Sequence, residues 1–361
     1  MICSTCIMDD SIKSLKFTNG ECHYCIEIIP KLEKLRAETK NNEAIIKLLS
    51  KISKNTNKYN CLIGVSGGVD SSYIVHLAHI YKLKPLLLHF DNGWNSELAV
   101  SNIKKLVEKT GFDLETYVVN WNEFKDIQKS FIKSGVVDIE LVTDHAIFAN
   151  LINSAKKKKI KYILSGTNLF TEHGMPSEWI WKKSDIKNIL DIHKKYGTIE
   201  IKTYPKMNFF SWYIAKYLKF YPRLIEPLNA IDYRKTNAIN ELKDIYNWQE
   251  YEDKHFESFF TKFYQAYILP KKFSIDKRKS HLSCLIRNNE LQRKDALKIL
   301  KNNLYPGELD NDIEYFCKKL EFSREEFNKI LASNPVKHTK FKNSEKIFNI
   351  SKKIYKIIIN K

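Results

Sequence analysis

Within seven positions, Ser66-Gly67-Gly68-Val69-Asp70-Ser71-Ser72 collects the residue types that hold a polyphosphate. Gly67 and Gly68 let the backbone come close to an anion. Ser66, Ser71 and Ser72 offer hydroxyl donors, and a helix opening at Ser71-Ser72-Tyr73 adds unpaired N–H groups and the positive end of its dipole. Asp70 is the odd member, because a carboxylate in an anion nest repels the ligand unless a divalent cation lies between them. Its position therefore implies Mg²⁺. The loop does not end in Gly-Lys-Ser/Thr, so it is not a Walker loop.

A second constellation is metal-binding. Cys3-x2-Cys6 and Cys22-x2-Cys25 are separated by fifteen residues, with Asn19-Gly20 as the hairpin turn before the second pair. That is zinc-ribbon spacing. Four thiolates so placed close a tetrahedron and leave no open position for chemistry, so the zinc is expected to be structural, with iron–sulfur ligation as the alternative. Cys61, Cys284 and Cys317 are scattered and expected to be reduced.

Short apolar runs alternating with helical periodicity must position these groups. The pattern predicts strand 60–65, helix 71–82, strand 85–90, helix 96–111, strand 114–119, helices 122–134 and 144–159, and strand 161–165. Such alternation means an α/β fold, a doubly wound parallel sheet whose ligands collect beyond the C-terminal strand ends. Three motifs fall on that edge: the Ser66–Ser72 loop, His89-Phe90-Asp91-Asn92-Gly93-Trp94, and Ser165-Gly166-Thr167-Asn168 followed by Glu172. Pro30 to Lys54 reads as a connecting helix or helix pair. From Pro205 onward the chain becomes aromatic-rich and helical, so the expected organisation is ribbon 1–30, connector 31–57, nucleotide domain 58–235 and helical C-terminal region 236–361.

The chain has 361 residues, 43% hydrophobic and 12% aromatic, enough for a large core. No run of eighteen apolar residues and no signal-peptide pattern is present, so a cytoplasmic protein is expected, with no membrane partner. The net charge of +18 invites a nucleic-acid reading, but only seven of the sixty basic residues are arginine and the lysines are spread along the chain. Lys156 to Lys159 ends an amphipathic helix, where cations suit the dipole and solvent. No nucleic-acid partner is therefore expected.

Ser-Gly-Gly-Val-Asp-Ser resembles the PP-loop of the ATP pyrophosphatases, the adenine nucleotide alpha hydrolase-like fold, whose members cleave ATP between the α and β phosphates. With the ribbon and the Asp-Asn-Gly-Trp turn, the chain resembles the N-acetyl sugar amidotransferase family of bacterial surface-polysaccharide and flagellar-sugar biosynthesis. Thr143-Asp144-His145-Ala146-Ile147, Gly166-Thr167-Asn168 with Glu172, Lys202-Thr203-Tyr204-Pro205 and His281 to Arg293 carry the likeness further. Asn288-Asn289-Glu290 departs from it, where a Ser-Gly-Glu/Gln type sequence is usual.

The resemblance implies conversion of an N-acetyl group on a nucleotide-linked or nonulosonic sugar into an acetamidino group. AMP goes to the amide oxygen, ammonia displaces it, and AMP and pyrophosphate leave. In that scheme Ser66, Gly67, Gly68, Ser71 and Ser72 hold the pyrophosphate of ATP, and Asp70 holds Mg²⁺. His89, Phe90 and Asp91 flank the adenosine. Gly166 and Thr167 help to bind the nucleotide, Thr167, Asn168 and Glu172 close the reaction centre, and Lys202 faces the leaving pyrophosphate. Asp144 and His145 are candidate substrate or proton-handling groups, and Arg287 and Arg293 candidate holders of a sugar phosphate or carboxylate. No glutaminase nucleophile is visible, so a separate glutaminase, resembling the imidazole glycerol phosphate synthase subunits, is expected to supply ammonia. The competing function is a PP-loop tRNA-thiolating enzyme, which generally needs a catalytic cysteine or cluster near the loop; no cysteine lies between Cys61 and Cys284.

Overall fold

The computed structural model describes residues 1–55, 57–213, 222–251 and 257–350. Two short strands, β1 (Phe17–Thr18) and β2 (Glu21–Cys22), form an antiparallel hairpin. Asn19 and Gly20 both have positive φ, +50° and +83°, as a two-residue turn of this hand requires. The hairpin runs straight into α1 (His23–Thr39), which carries Cys25 on its first turn; α2 (Glu43–Ser53) follows. The connector is thus a helix pair, and its first helix begins inside the ribbon.

The central sheet is five-stranded and wholly parallel. Its strands are β3 (Cys61–Val65), β4 (Pro85–Asp91), β5 (Asp113–Val118), β6 (Tyr162–Leu164) and β7 (Arg223–Ile225), in the order β5-β4-β3-β6-β7. Between them lie α3 (Val69–Ile80), α4 (Glu97–Thr110), α5 (Trp121–Ser134), α6 (Leu141–Lys157), α7 (Ile186–Tyr196) and the short α8 (Phe209–Tyr213). Every strand expected from the sequence is present, within one or two residues at its ends. The sequence reading missed β7 and α7, and it began α3 two residues late, so Asp70 lies inside the first helical turn.

Strand alternation sorts the core into two faces. Ile63, Val65 and Leu87 pack with Ile74, Val75, Ile103 and Leu106 of α3 and α4, and with α9 (Lys235–Tyr246). Leu62, Leu86, Leu88 and Ile163 pack against Ala149, Leu151, Ile152 and Ala155 of α6. Gly64 permits that contact, since a Cβ there would meet Leu151 at 3.1 Å.

The remaining helices are α10 (Phe259–Phe263), which continues through a π-helical turn (Tyr264–Ile268) into α11 (Leu269–Phe273), then α12 (Arg278–Arg287), α13 (Arg293–Lys301), α14 (Leu309–Leu320) and α15 (Arg324–Ala332). Their aromatic core shares a cluster with the ribbon cysteines and α5. Among the described residues no helix is long and apolar enough to cross a membrane.

Candidate functional site

The centre of the site is the turn from β3 into α3. Gly67 adopts φ +82°, and a Cβ on it would lie 2.6 Å from the Ala99 carbonyl oxygen, so this position requires glycine twice over. Its own carbonyl accepts from Trp248 Nε1 at 3.1 Å and Tyr251 Oη at 3.0 Å, which holds the turn against the α9 side. Ser71 Oγ accepts from the Ser66 N–H at 3.3 Å and donates to the Gly68 carbonyl at 3.0 Å, and Ser66 Oγ accepts from the Gly68 N–H. These two hydroxyls therefore build the loop.

What the loop presents comes from the helix itself. The N-cap of α3 is Gly68, and no side chain caps it, whereas Ser96, Asn120 and Asp185 cap α4, α5 and α7 with their side-chain oxygens. Ser72 Oγ, fully buried, has no hydrogen-bond partner among the described residues. An uncapped helix start beside an orphaned buried hydroxyl fits an anion. Asp70 Oδ1 accepts from the buried Tyr233 hydroxyl at 2.5 Å, and a Cβ on Gly68 would sit 3.3 Å from Glu257 Oε1. Two carboxylates at an anion site suit a bridging divalent cation. Tyr233, Glu257, Trp248 and Tyr251 were invisible to sequence reasoning because they arrive from far along the chain with no local motif.

The second motif is more committed than expected. His89 Nδ1 lies 3.0 Å from the Val65 carbonyl, and its Nε2 accepts from Asn95 Nδ2 at 3.1 Å. Phe90 stacks on Tyr117, centroids 5.6 Å apart and planes within 6°, in the core. Asp91 Oδ1 accepts from the Gly93 N–H and from Asn95. His89 and Phe90 thus organise the strand end, a correction to their expected place against the adenosine: both ring nitrogens of His89 are spent on Val65 and Asn95, and Phe90 packs in the core. Lys319 of α14 donates to the Gly93 carbonyl and lies 4.4 Å from the Trp94 ring centroid, so the C-terminal helices reach this turn.

In the third motif Gly166 packs directly on the phosphate loop, since a Cβ there would lie 2.9 Å from Asp70 C and Ser71 N. Thr167 bonds back to Ser165. Asn168, expected at the reaction centre, is buried and spends its amide locally: Nδ2 donates to the Gly166 carbonyl at 3.1 Å and Oδ1 accepts from the Thr171 N–H at 2.8 Å. It shapes the turn rather than facing a ligand. Glu172 is exposed on that turn.

Two further expectations are corrected, and Asp144 is located. Lys202 Nζ is exposed and pairs with Glu200 at 3.2 Å, while the segment it belongs to is held by Glu123 of α5, which accepts from the Lys202, Thr203 and Tyr204 N–H groups. His145 is fully buried, with Nδ1 at 2.8 Å from the Lys183 carbonyl and Nε2 accepting from the Met207 N–H at 3.1 Å. Burial pushes its pKa down to about 4, so it is a neutral strut between two loops and not a proton carrier. Asp144 pairs with Lys183 at 2.8 Å, and the same ammonium reaches the buried Asp138 at 2.9 Å. Burial pulls the Lys183 ammonium down, but Asp138 and then Asp144 outweigh it and hold its pKa above the ordinary value.

Arg287 and Arg293 are not at the sheet edge. The four N-terminal cysteines are all buried, with their sulfurs within 4.8 Å of one another: Cys3 to Cys25 3.8 Å, Cys6 to Cys22 3.6 Å and Cys22 to Cys25 3.5 Å. This is a metal-ligand set brought together by the hairpin and the first turn of α1. Arg287 donates Nε to Cys25 Sγ at 3.2 Å and Nη2 to Cys6 Sγ at 3.2 Å; Arg293 donates to the Cys3 and Cys6 carbonyls. The irregular turn at Asn288 is a hub whose carbonyl accepts from both Arg36 and Arg234 at 2.7 Å.

Residues 257–355 match a family model described as LPS biosynthesis protein WbpG-like, C-terminal domain. The chain is 26% identical over 175 residues to the uncharacterized protein MJ1599 of Methanocaldococcus jannaschii, a match covering 47% of this chain and 60% of that protein, so it spans about three fifths of that curated relative. Among solved structures it is similar to the U34-tRNA thiolase NcsA from Methanococcus maripaludis with its [4Fe-4S] cluster (13% identity, 90% of this chain and 99% of that chain, TM-score 0.36). It is also similar to the NH3-dependent NAD synthetase from Campylobacter jejuni (14% identity, 45% and 72%, TM-score 0.30).

Proposed function

We propose that the chain is an ATP-dependent amidotransferase acting on an N-acetyl sugar, nucleotide-linked or nonulosonic. AMP is transferred to the acetamide oxygen, pyrophosphate departs, and ammonia adds to the activated carbon as AMP leaves, giving an acetamidino group. The observation that carries this reading is the loop at the α3 N-terminus: uncapped, with Ser72 Oγ orphaned and Asp70 beside it, and lacking a Walker lysine. Its backbone N–H groups and Ser72 hold the pyrophosphate; Mg²⁺, set by Asp70 and Glu257, would neutralise the charge that develops as it leaves. The work is positioning and charge stabilisation. The match of residues 257–355 to a family of LPS biosynthesis supports a sugar acceptor.

Zinc is the metal proposed for the cysteine centre. With Zn–S bonds near 2.3 Å a tetrahedron has S···S edges of about 3.8 Å, close to the 3.5–3.8 Å between neighbouring sulfurs here. A four-iron cluster holds its cysteine sulfurs much farther apart.

Incubation with ATP, Mg²⁺, ammonium and a panel of UDP-linked N-acetyl sugars and nonulosonic acids tests the reading. AMP and pyrophosphate should appear in step with a product in which NH replaces one oxygen by mass. ADP and phosphate as the stoichiometric products, or thiolation when tRNA and a sulfur donor replace the sugar, would overturn it.

A further inference from the structure

We propose that Arg287 is a positioning residue that ties the four-cysteine centre to the turn after β6, so that metal binding at one end of the molecule orders the edge of the phosphate-loop site. This goes beyond the proposed reaction and does not depend on it. Arg287 is 2% exposed, and among the described residues it pairs with no carboxylate. A guanidinium does not lose its proton in a protein, and a buried charge needs a counter-charge. Its partners are sulfurs: Cys25 at 3.2 Å, Cys6 at 3.2 Å and Cys22 at 3.7 Å. Sulfurs gathered around a permanent cation favour the thiolate, the form that ligates a metal. A zinc tetrathiolate carries two net negative charges. Arg287 in contact and Arg293 on the Cys3 and Cys6 carbonyls offset them.

The other side of the same guanidinium faces Gly174, in the segment that follows β6. Gly174, at φ +66°, lies so close that a Cβ on it would be 2.9 Å from Arg287 Nη1. One helical turn earlier, Cys284 Sγ donates to the His173 carbonyl at 2.9 Å. The ribbon grips the same segment directly, through Tyr24 Oη to the Met175 carbonyl at 3.4 Å and the Ser14 N–H to Glu178 Oε1 at 2.9 Å. Residues 173–178 are thus held between the metal module and α12, and they continue directly from the turn whose Gly166 presses on Asp70 and Ser71.

Hydrogen exchange by mass spectrometry on the full chain, with zinc content measured, tests this in wild type, Arg287→Met and Arg287→Lys. Competition with a chromogenic chelator should show zinc affinity about 10- to 100-fold lower in Arg287→Met, the usual cost of losing a partner to the metal's ligands. Peptides covering 166–178 should exchange faster in that variant and in chelated wild type, while peptides covering 61–91 stay protected. If Arg287→Met does not fold, Arg287→Lys, which keeps the charge but not the fork, should retain zinc with a loosened 166–178. Unchanged zinc affinity, unchanged protection at 166–178, or equal loosening of 61–91 would each overturn the proposal.

Discussion

Asp70 sits in the first turn of α3, where its carboxylate favours the helix dipole but opposes a phosphate. Tyr233, buried and bonded to Oδ1, fixes which oxygen remains for a cation. Asp70→Asn should lower AMP formation by about 100-fold or more, whereas Tyr233→Phe should chiefly raise the Mg²⁺ concentration needed for half-maximal rate. Steady-state kinetics over a Mg²⁺ series distinguishes the two, and an Asp70→Asn enzyme with full activity would remove the residue from the metal site. The buried histidines set a different limit. His145 and His338 are both held at a pKa of about 4, mainly by burial, against an ordinary 6.5. Since the unfolded chain takes up protons that the native one refuses, stability is fully present above pH 6.5 and declines as pH falls towards 4, by about 1.4 kcal/mol per pH unit for each group. Glu123 and Asp126 extend the loss to lower pH: burial raises their pKa values, but the N–H groups and hydroxyls bonded to them prevail and hold them low. Urea midpoints should hold level from pH 7.5 to about 6.5 and fall from there to pH 5; a profile flat throughout would contradict the neutral-strut role.

Elements meet at glycines. Gly67 abuts the α4 backbone at Ala99, Gly64 admits the Leu151 side chain of α6, and Gly166 touches the backbone at the start of α3, so three helices converge on these glycines. Gly166→Ala would force its Cβ to 2.9 Å from backbone atoms that cannot swing aside. Overpacking of this kind costs about 1–3 kcal/mol. It should also weaken binding of a non-hydrolysable ATP analogue more than it lowers the thermal midpoint, because the displaced atoms are the phosphate loop itself. Calorimetry on Gly166→Ala with Gly111→Ala as control, where a Cβ meets nothing within 4 Å though φ is +69°, checks the direction.

The whole molecule is a sheet framed by two modules that the sequence separates widely. The ribbon and the C-terminal helices share one core and meet around the cysteines, and α14 reaches the Asp91–Trp94 turn through Lys319. Removing the metal, or Cys22→Ser, should therefore lower the thermal midpoint of the full chain. A scan before and after chelation reads that directly, and an unchanged midpoint would show the centre to be dispensable. The proposed reaction also needs neutral ammonia. Cys61, Cys284 and Cys317 are all buried, and Cys284 is bonded to the His173 carbonyl, so none has the setting of a glutaminase nucleophile. The isolated chain should turn over with high ammonium and not with glutamine, and a separate glutaminase should restore glutamine use. Efficient glutamine-dependent turnover by the single chain would refute this.

Local pattern was enough for whatever depends on nearest neighbours along the chain. Strand and helix periodicity, the Asn19-Gly20 turn, the paired cysteines and the glycine loop were all legible, because backbone sterics and ligand spacing act over a few residues. Roles that depend on where a side chain ends up were not. Asn168 looked like a ligand group until its amide was seen folded into its own turn, and His145 looked catalytic until both ring nitrogens were found on backbone partners. Arg287 looked like a sugar-phosphate anchor but lies against sulfurs 262 to 281 positions away. Tyr233 and Glu257 carry no motif and reach the loop only because the parallel sheet and the C-terminal helices close around it. The sequence by itself determined four of the sheet's five strands, the ribbon and the phosphate loop; tertiary packing alone decided which polar groups are spent on structure, since a buried donor or acceptor must find whatever partner the fold brings near.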